Sequence, residues 1–179
     1  MIQYRHKEPF HRNHFEECCD LARRAHRKHA AFLVNDRADV AALCGADGVH
    51  LGQEDLPPEQ ARKLLGAKSI IGYSTHSREQ AMQAARLPVD YIAVGPIFPT
   101  ATKQDPDPVV GLGLISEVRK MTARPLVAIG GITLENAASV IAAGADAVAV
   151  ISGLLGADDI NDIEGRAKQY LGALKVARN

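Results

Sequence analysis

Two aspartates stand directly after two neighbouring apolar runs of the chain, where a strand would end. Asp36 follows the run Ala31–Val34, and Asp55 follows the run Gly48–Leu51. Adjacent strands of a sheet lie roughly 5 Å apart, so the two carboxylates can meet. Mg²⁺ prefers hard oxygen ligands and is commonly held by one or two carboxylates together with substrate phosphates. The pair therefore predicts a Mg²⁺ site, although both residues also suit helix N-caps.

A second set of polar residues lies in the first apolar run of the chain. Gln3, Arg5 and Lys7 occupy every second position, and a strand places such residues on one face. If that face points into a barrel, its two positive charges need an anion such as a diphosphate, because buried charges need partners. The alternative is an amphipathic edge strand whose polar face lies in water.

Hydroxyl and imidazole groups follow the run Ser69–Gly72. The residues are Ser74, Thr75 and His76, and the hydroxyls could hold phosphate oxygens. The alternative is that they form local turns and caps, which serine and threonine favour, and the next residue, Ser77, fits an N-cap. His76 could act as an acid or base, but a single loop histidine more often does neither.

A long, proline-rich loop follows the run Tyr91–Val94 and carries Thr100, Thr102 and Lys103. Long loops inside compact domains are usually lids or binding loops. The hydroxyls and the ammonium group of this loop would suit a phosphorylated ligand.

Two later runs end in small residues. Gly130 and Gly131 follow the first of them, and the stretch Val150–Gly153 ends the second. In (β/α) barrels the loops after the last two strands commonly bind phosphate through backbone N–H groups. Glycine permits the close approach that such binding needs, but both glycines also suit tight left-handed turns.

A regular alternation of strands and helices spaces these residues. The apolar, β-branched-rich runs are predicted as seven strands at Ile2–Arg5, Ala31–Val34, Gly48–Leu51, Ser69–Gly72, Tyr91–Val94, Leu126–Ile129 and Ala147–Val150. Helical periodicity follows each run, at Asn13–His29, Ala38–Leu43, Pro58–Leu65, Arg78–Arg86, Leu112–Met121, Leu134–Ala143 (with Thr133 as N-cap) and Ile160–Lys175.

This alternation predicts an α/β fold with a parallel sheet covered by helices. Seven strand–helix units favour a TIM-type (β/α) barrel over an open doubly wound sheet. The phrases CGADGVHLG and AGADAVAVIS are near-duplicates, which indicates quasi-repeated units.

Length, charge and cysteine content exclude several classes of protein. The 179 residues fit one domain, and the formal net charge of +0 gives no overall attraction to nucleic acid or membranes. No apolar run reaches the roughly 18 residues of a membrane span, and the N-terminus lacks a signal-peptide pattern. The three cysteines include no CxxC pair, which predicts free thiols in a reducing cytoplasm.

Taken together, the motifs resemble the thiamine-phosphate synthase family along nearly the whole chain. The matching stretches are Gln3-x-Arg5-x-Lys7, VNDR, GADGVHLGQED, GYSTHS, GPIFPTATK, and AIGGI with VIS. The resemblance implies a cytoplasmic transferase of thiamine biosynthesis. It would join 4-amino-5-hydroxymethyl-2-methylpyrimidine diphosphate to 4-methyl-5-(2-phosphoethyl)thiazole or its carboxylated form. The implied mechanism is dissociative: diphosphate leaves first, the aminopyrimidine stabilises the methylene cation, and the thiazole nitrogen then adds.

The resemblance also implies roles for individual residues. Mg²⁺, the implied cofactor, would be bound by Asp36 and Asp55. The pyrimidine diphosphate would be bound by Gln3, Arg5, Lys7, Asn35, Ser74 and Lys103, of which Arg5, Lys7, Ser74 and Lys103 would act in catalysis. The thiazole phosphate would be bound by Thr100, Thr102, Gly131, Ile151 and Ser152. Such a reaction needs cations where leaving-group charge grows and correct positioning of two small-molecule substrates.

The number of strands departs from the family pattern. A complete barrel has eight strands, whereas seven are predicted here. The absent unit is the first, because GGI and VIS resemble the loops after the last two strands. The sequence therefore predicts a single barrel domain over residues 1–179 that is incomplete at its N-terminus. A homo-oligomer is one arrangement that the sequence allows.

Three other functions remain open from the sequence. A thiazole tautomerase resembles the family, but its pattern lacks the acidic pair and has a histidine after the fifth strand, where this chain has Gly95 and Pro96. Another phosphate-binding barrel, such as an epimerase, would need an acid–base pair that the sequence does not offer. A non-catalytic binder of the thiazole phosphate would differ from an enzyme in forming no product.

Overall fold

The computed structural model describes residues 1–100, 107–156 and 162–177, and strands alternate with helices throughout these ranges. The strands are β1 Ile2–Tyr4, β2 Phe32–Asn35, β3 Gly48–Leu51, β4 Ile70–Thr75, β5 Tyr91–Val94, β6 Leu126–Ala128 and β7 Ala147–Val148. The helices are α1 Arg12–Arg27, α2 Ala38–Cys44, α3 Pro58–Leu65, α4 Arg78–Ala84, α5 Gly111–Met121, α6 Ala137–Ala142, α7 Ser152–Leu155 and α8 Ile163–Val176. The α/β class and the seven strands that the sequence predicts are thus confirmed within the described ranges.

The first of two compact units comprises Met1–Ser74 and Arg86–Asp90. Its strands β1 to β4 pair in parallel and in chain order. The register places Tyr4 opposite Val34, Val34 opposite Val49, and Val49 opposite Ile71. Val34, Val49 and Ile71 are buried, so the central strands of this unit supply its apolar core, as expected for parallel strands covered on both faces.

The second unit comprises Thr75–Ala85 and Tyr91–Asn179. Its strands β5, β6 and β7 also pair in parallel and in chain order. All of β5 is buried, whereas β7 is short and half-buried. The register of the last pair places Ala128 opposite Val148, so the loops after β6 and β7 leave the sheet from neighbouring positions.

Three aspartates, Asp47, Asp90 and Asp146, stand immediately before strands, and we call them the strand-start aspartates. Each one bonds twice to a residue at the start of the preceding strand. The Asp47 carboxylate accepts from the Phe32 amide at 2.7 Å, and the Asp47 amide donates to the Phe32 carbonyl at 2.8 Å. Asp90 makes the same pair of bonds with Ile71, and Asp146 makes them with Leu126.

Each strand-start aspartate also binds a basic side chain, an arginine or a histidine, of the helix that precedes the bonded strand. The carboxylate oxygen lies 2.9 Å from His26 Nε2 for Asp47, 2.6 Å from Arg62 Nη2 for Asp90, and 2.8 Å from Arg119 Nη1 for Asp146. The near-duplicate phrases of the sequence contain two of these aspartates. Their similarity therefore reflects a repeated way of joining a helix to two strands.

The start of α6 differs from the prediction. The helix begins at Ala137 rather than Leu134, and Thr133 is not its N-cap. The Asn136 side chain accepts from the Thr133 amide at 2.9 Å and donates to the Gly131 carbonyl at 3.0 Å. These bonds stabilise a turn before the helix, as asparagine side chains commonly do. The predicted cap at Ser77 is confirmed, because its hydroxyl accepts from the Gln80 amide at 3.2 Å.

Two strands and one further helix also differ in extent from the prediction. β4 continues to Thr75, so Ser74 lies within the strand instead of the following loop. β7 ends at Val148, and a short helix, α7, begins at Ser152. Ser74 therefore lies inside β4, and Ile151 lies farther beyond the end of β7 than the apolar pattern indicated.

No helix in the described ranges is both long and apolar enough to cross a membrane. The three cysteines are free thiols, as predicted. Cys18 and Cys44 are buried, and this burial raises the pKa of both thiols, that of Cys18 to about 12. Thiols of this kind are unreactive core side chains.

Candidate active site

The backbone after β2 places Asp36 beside the end of β3. Asn35, the last residue of β2, is paired with His50, and the Asp36 amide donates to the His50 carbonyl at 2.8 Å. Asp36 has φ of 65°, a left-handed conformation that is uncommon for residues other than glycine. A functional requirement for the direction of this carboxylate is one reason for a chain to keep such a conformation.

Asp55 approaches Asp36 from the loop after β3. Its carboxylate accepts from the Gly52 amide at 2.6 Å, which closes the loop on itself. Burial raises the pKa of Asp55, and hydrogen bonding with Asp36 and the negative charge of Asp36 raise it further, against the Gly52 bond and the charge of Lys7. Two carboxylates that meet in this way favour a bound proton or cation.

A cation from the segment after β1 joins the acidic pair. The Lys7 ammonium group forms an ion pair with Asp36, with side-chain exposures of 50% for Lys7 and 22% for Asp36. The structure therefore brings together Lys7, predicted to bind diphosphate, and Asp36 and Asp55, predicted to bind Mg²⁺. The direct pairing of Lys7 with Asp36 is a feature that the sequence analysis did not predict.

The remaining residues of the Gln3-x-Arg5-x-Lys7 motif are exposed. Gln3 and Arg5 lie on the surface together with Lys7, and β1 ends at Tyr4 before the arginine. The idea that this face is buried and needs an anion to compensate it is therefore wrong, and the alternative, a polar face in water, is correct. The exposed cations remain accessible to an anionic ligand.

Ser74 is held by two side chains from β3 and its loop. The Ser74 hydroxyl lies 2.8 Å from His50 Nε2, and the Gln53 amide donates to the Ser74 carbonyl. Both Ser74 and His50 are buried. Burial lowers the pKa of His50 to about 4, assisted by the charge of Lys7 and opposed by that of Asp36, so the imidazole is neutral at pH 7.

His50 was missed as a site residue by the sequence analysis. It lies inside the buried strand GVHL, where a single histidine is easily taken for a core residue. The available signal was that it is the one polar side chain in an otherwise apolar strand. Asn35 was predicted and lies half-buried at the end of the neighbouring strand.

His76, a weak acid–base candidate, has partners of its own in the second unit. Its Nδ1 contacts the Gly95 carbonyl, and its Nε2 lies 3.5 Å from a carboxylate oxygen of Asp107. The adjacent Thr75 hydroxyl donates to the Ala93 carbonyl at 2.9 Å. These bonds indicate a structural role for Thr75 and His76, which connect the end of β4 to β5 and to the loop after it.

The second unit carries the residues predicted to bind the thiazole phosphate. Gly131 has φ of 65°, and a Cβ atom there would lie 2.4 Å from the Pro99 carbonyl oxygen, so only glycine lets the two loops pack. Ile151 and Ser152 are exposed at the start of α7. Thr100 is half-buried. Thr102, predicted for the same phosphate, and Lys103, predicted for the pyrimidine diphosphate, lie outside the described residues.

The acidic pair fits Mg²⁺ as regards the chemistry of its donors. Asp36 and Asp55 offer carboxylate oxygens in mutual contact, and burial together with the charge of Asp36 raises the pKa of Asp55, although the charge of Lys7 opposes this shift. Within the described ranges no group of three or more histidine, cysteine or acidic residues could hold a metal ion. A two-carboxylate site is typical of Mg²⁺ that is completed by substrate phosphates and water.

Comparisons with known proteins agree on one family. A family model described as "Thiamine monophosphate synthase" matches residues 1–154. The thiamine-phosphate synthase of Koribacter versatilis is 49% identical over 171 residues, which cover 96% of this chain and 78% of that protein. The thiamine-phosphate synthase of Methanosarcina barkeri is 44% identical over 178 residues, covering 99% of this chain and 79% of that protein.

A solved structure gives the same result for the fold. The thiamine phosphate pyrophosphorylase from Pyrococcus furiosus superimposes with a TM-score of 0.85 at 37% sequence identity. The match covers 96% of this chain and 83% of the other. This likeness confirms the TIM-type α/β fold class that the sequence predicts.

Proposed function

The chain belongs to the thiamine monophosphate synthase family, and from that premise we propose that it is a transferase that makes thiamine phosphate. The reaction joins the hydroxymethylpyrimidine diphosphate to the thiazole phosphate, or to the carboxylated form of the thiazole, and releases diphosphate. One observation carries the assignment to this chain's own residues: Lys7, Asp36 and Asp55 meet at the ends of neighbouring strands, where (β/α) barrels place their chemistry.

The chemistry requires stabilisation of a leaving diphosphate more than a nucleophile or strong base. In a dissociative reaction, negative charge grows on the departing diphosphate while the pyrimidine methylene becomes a cation. Preorganised cations and hydrogen-bond donors directed at that charge lower the barrier. Arg5 and Lys7 are exposed at the end of β1 and can provide positive charge, and Ser74 can provide a hydroxyl donor.

Mg²⁺ is part of the proposal, with Asp36 and Asp55 as the residues that would hold it. When bound, the ion would supply positive charge to the diphosphate oxygens and orient the leaving group. It would also compensate the Asp55 carboxylate, whose pKa is raised by burial first and by the nearby Asp36 second. Lys7 could then turn from Asp36 to the substrate.

The thiazole phosphate is assigned to the second unit. Backbone N–H groups near Gly131, together with Ile151 and Ser152 at the start of α7, would hold the phosphate, and Thr100 would add a hydroxyl. Gly131 supports this assignment through its packing, because without a side chain its loop lies against the carbonyl of Pro99, the residue before Thr100. From the sequence motif alone, Thr102 is proposed for the thiazole phosphate and Lys103 for the pyrimidine diphosphate. The free thiols of the chain favour the cytoplasm as the place of reaction.

Product formation distinguishes this function from the alternatives. Purified protein, both substrates and Mg²⁺ should yield thiamine phosphate and diphosphate in equal amounts, measured by chromatography and a coupled diphosphate assay. A protein that binds the thiazole phosphate without forming product would be a non-catalytic binder and would contradict the proposal. Isomerisation of a thiazole substrate without condensation would indicate a tautomerase, a name that none of the relatives described above carries.

A further inference from the structure

The Ser74 hydroxyl group is in contact with a neutral imidazole. Its oxygen lies 2.8 Å from His50 Nε2, and the two residues are exposed by only 9% and 8%. A serine hydroxyl has one O–H donor and two acceptor lone pairs. Whether its single proton is available to a ligand therefore depends on what the imidazole does.

The two neutral tautomers of His50 have opposite consequences for Ser74. If Nε2 carries no proton, it accepts the Ser74 hydroxyl proton, and Ser74 then offers an anion only its lone pairs. If Nε2 carries the proton, it donates to the Ser74 oxygen, and the Ser74 O–H stays free to donate elsewhere. Only the second arrangement makes Ser74 useful to a diphosphate, because phosphate oxygens accept hydrogen bonds.

Gln53 fixes the backbone of the same serine. The last described pair of the β3–β4 ladder is Leu51 with Tyr73, so Ser74 lies one residue past it. The Gln53 side-chain amide donates to the Ser74 carbonyl and so continues the link between the two strands. The hydroxyl is therefore held through the backbone by Gln53 and through the side chain by His50.

We propose that His50 is a positioning residue that donates from Nε2 to the Ser74 oxygen and thereby directs the Ser74 O–H at the leaving diphosphate. Gln53 acts with it by holding the Ser74 backbone. The inference rests on the proposed function, since it needs an anionic leaving group at this end of β4. Neither residue has to touch the substrate, and both act through Ser74.

Substitutions of His50 test which nitrogen matters. A glutamine amide nitrogen reaches the position of Nε2, whereas an asparagine amide reaches only that of Nδ1. His50→Gln should therefore keep kcat within about threefold of wild type, while His50→Asn and His50→Leu should lower it by roughly tenfold or more, as expected when one oriented donor is lost. KM for the pyrimidine diphosphate should change by less than about threefold, because the bond matters most as charge develops.

A double-mutant cycle separates positioning from a merely structural role. If His50 acts through Ser74, the double variant His50→Leu/Ser74→Ala should be no slower than Ser74→Ala alone. Gln53→Ala should likewise lose most of its effect in the Ser74→Ala background. Independent, multiplicative losses would overturn the proposal, as would a His50→Gln variant that is folded by thermal unfolding yet as slow as His50→Leu.

A spectroscopic measurement on the wild-type protein does not depend on the activity of any variant. Long-range ¹H–¹⁵N correlation spectra at pH 7, with the His50 signals identified by their loss in His50→Gln, should show the neutral tautomer protonated at Nε2. A neutral tautomer protonated at Nδ1 would overturn the proposal. Failure of the wild-type protein to form thiamine phosphate would instead contradict the proposed function, and the tautomer would still decide this inference.

Discussion

The two ends of the strands use aspartate in opposite ways. At the strand starts, each aspartate is matched by a backbone amide and by an arginine or histidine side chain. At the strand ends, Asp36 and Asp55 face each other and share Lys7. The same side chain therefore stabilises the fold at one end and remains incompletely compensated at the other.

The pKa values follow this division. Although burial works to raise the pKa of Asp47, hydrogen bonds from the Phe32 amide and from His26 outweigh it, and the pKa is lowered. The pKa of Asp55 is raised, by burial first and by Asp36 second. A lowered pKa marks a carboxylate that the fold stabilises in its charged form, whereas a raised one marks a carboxylate that a further cation would stabilise.

The backbone at the two ends differs in the same sense. Asp36 holds a left-handed conformation with φ of 65°, which costs of order 1 kcal/mol for a residue other than glycine. The strand-start aspartates, by contrast, extend the ladder with paired amide and carbonyl bonds. Stability is therefore concentrated at the strand starts, and local strain is accepted at the strand ends, as expected where activity competes with stability.

The largest expected effect is the loss of activity when the acidic pair is broken. Asp55→Asn should lower kcat by about 100-fold or more, the usual effect of removing one preorganised electrostatic group. Its thermal stability should be equal to or higher than that of wild type, because a half-buried carboxylate beside Asp36 is removed. Steady-state kinetics across a Mg²⁺ titration, together with thermal unfolding, measures both. Full activity of this variant in excess EDTA would show that the pair binds no essential metal.

The matched control for this substitution is Asp39→Asn. Asp39 lies three residues after Asp36 but is exposed and pairs with Arg37 at 2.6 Å. Removing an exposed ion pair costs little, so kcat should stay within about twofold of wild type. A large loss in the control would show that any change of charge near β2 disturbs the site.

The next largest effect is expected when a cationic side chain is removed at either end of the strands. One removal should lower activity and the other should lower stability. Lys7→Ala should lower kcat by roughly 30-fold, about 2 kcal/mol of transition-state stabilisation, and change the free energy of unfolding by less than about 1 kcal/mol. Arg119→Ala should instead lower the free energy of unfolding by about 2 kcal/mol, because it removes the hydrogen bonds that Arg119 donates to Asp146 and to the carbonyls of Thr122 and Arg124.

For both variants, urea unfolding gives the free energy of unfolding, and steady-state kinetics gives kcat per folded molecule. Arg119→Ala should keep kcat per folded molecule within about twofold of wild type, since Arg119 belongs to the second unit and the acidic pair to the first. If Lys7→Ala mainly destabilises the fold, or Arg119→Ala mainly lowers kcat, the division between the two ends of the strands is wrong.

The sequence predicts the repeated part of the fold well, and the reason is local. The near-duplicate phrases contain Asp47 and Asp146 after a helix-ending glycine, and this order of residues is enough to place a helix end before a strand. The third strand-start aspartate, Asp90, follows the phrase LPV and shows no such similarity. Its equivalence depends on the bonds to Ile71 and Arg62, which only the folded chain brings together.

The acidic pair could be predicted because it depends only on strand ends being adjacent. The pairing of Lys7 with Asp36 could not, because it depends on the path of the chain after β1. The role of His50 was hidden by its position in an apolar strand, and Ser74 was placed in a loop because the pattern ended β4 early. Side-chain partners across strands thus need the register, which periodicity alone does not give.

A smaller effect concerns the pH dependence of the matched end. The lowered pKa of Asp47 means that its charge stabilises the fold above the unfolded-state pKa of about 3.9 and that this contribution is lost as the pH falls through the folded-state pKa. Wild type should therefore be more stable than Asp47→Asn by about 1 kcal/mol or less at pH 7, because the side chain is partly exposed. Urea unfolding between pH 7 and pH 3 should show the difference disappearing in acid. If the difference in the free energy of unfolding between wild type and Asp47→Asn did not change with pH, the charge of Asp47 would not be its cause.

The smallest expected effect distinguishes the three strand-start aspartates from one another. Asp47 is paired with a histidine, His26, whereas Asp90 and Asp146 are paired with arginines. An imidazole changes its charge between pH 5 and 8, whereas a guanidinium stays charged. His26→Arg should therefore stabilise the protein by about 0.5 kcal/mol at pH 8.5 and by less at pH 5.5, on the scale of half-exposed ion pairs. Urea unfolding at both pH values measures this, with His29→Arg as a control because His29 is exposed and lies just past the end of α1. Equal stabilisation at both pH values, or the same gain in the control, would show that the charge on His26 does not set the strength of this contact.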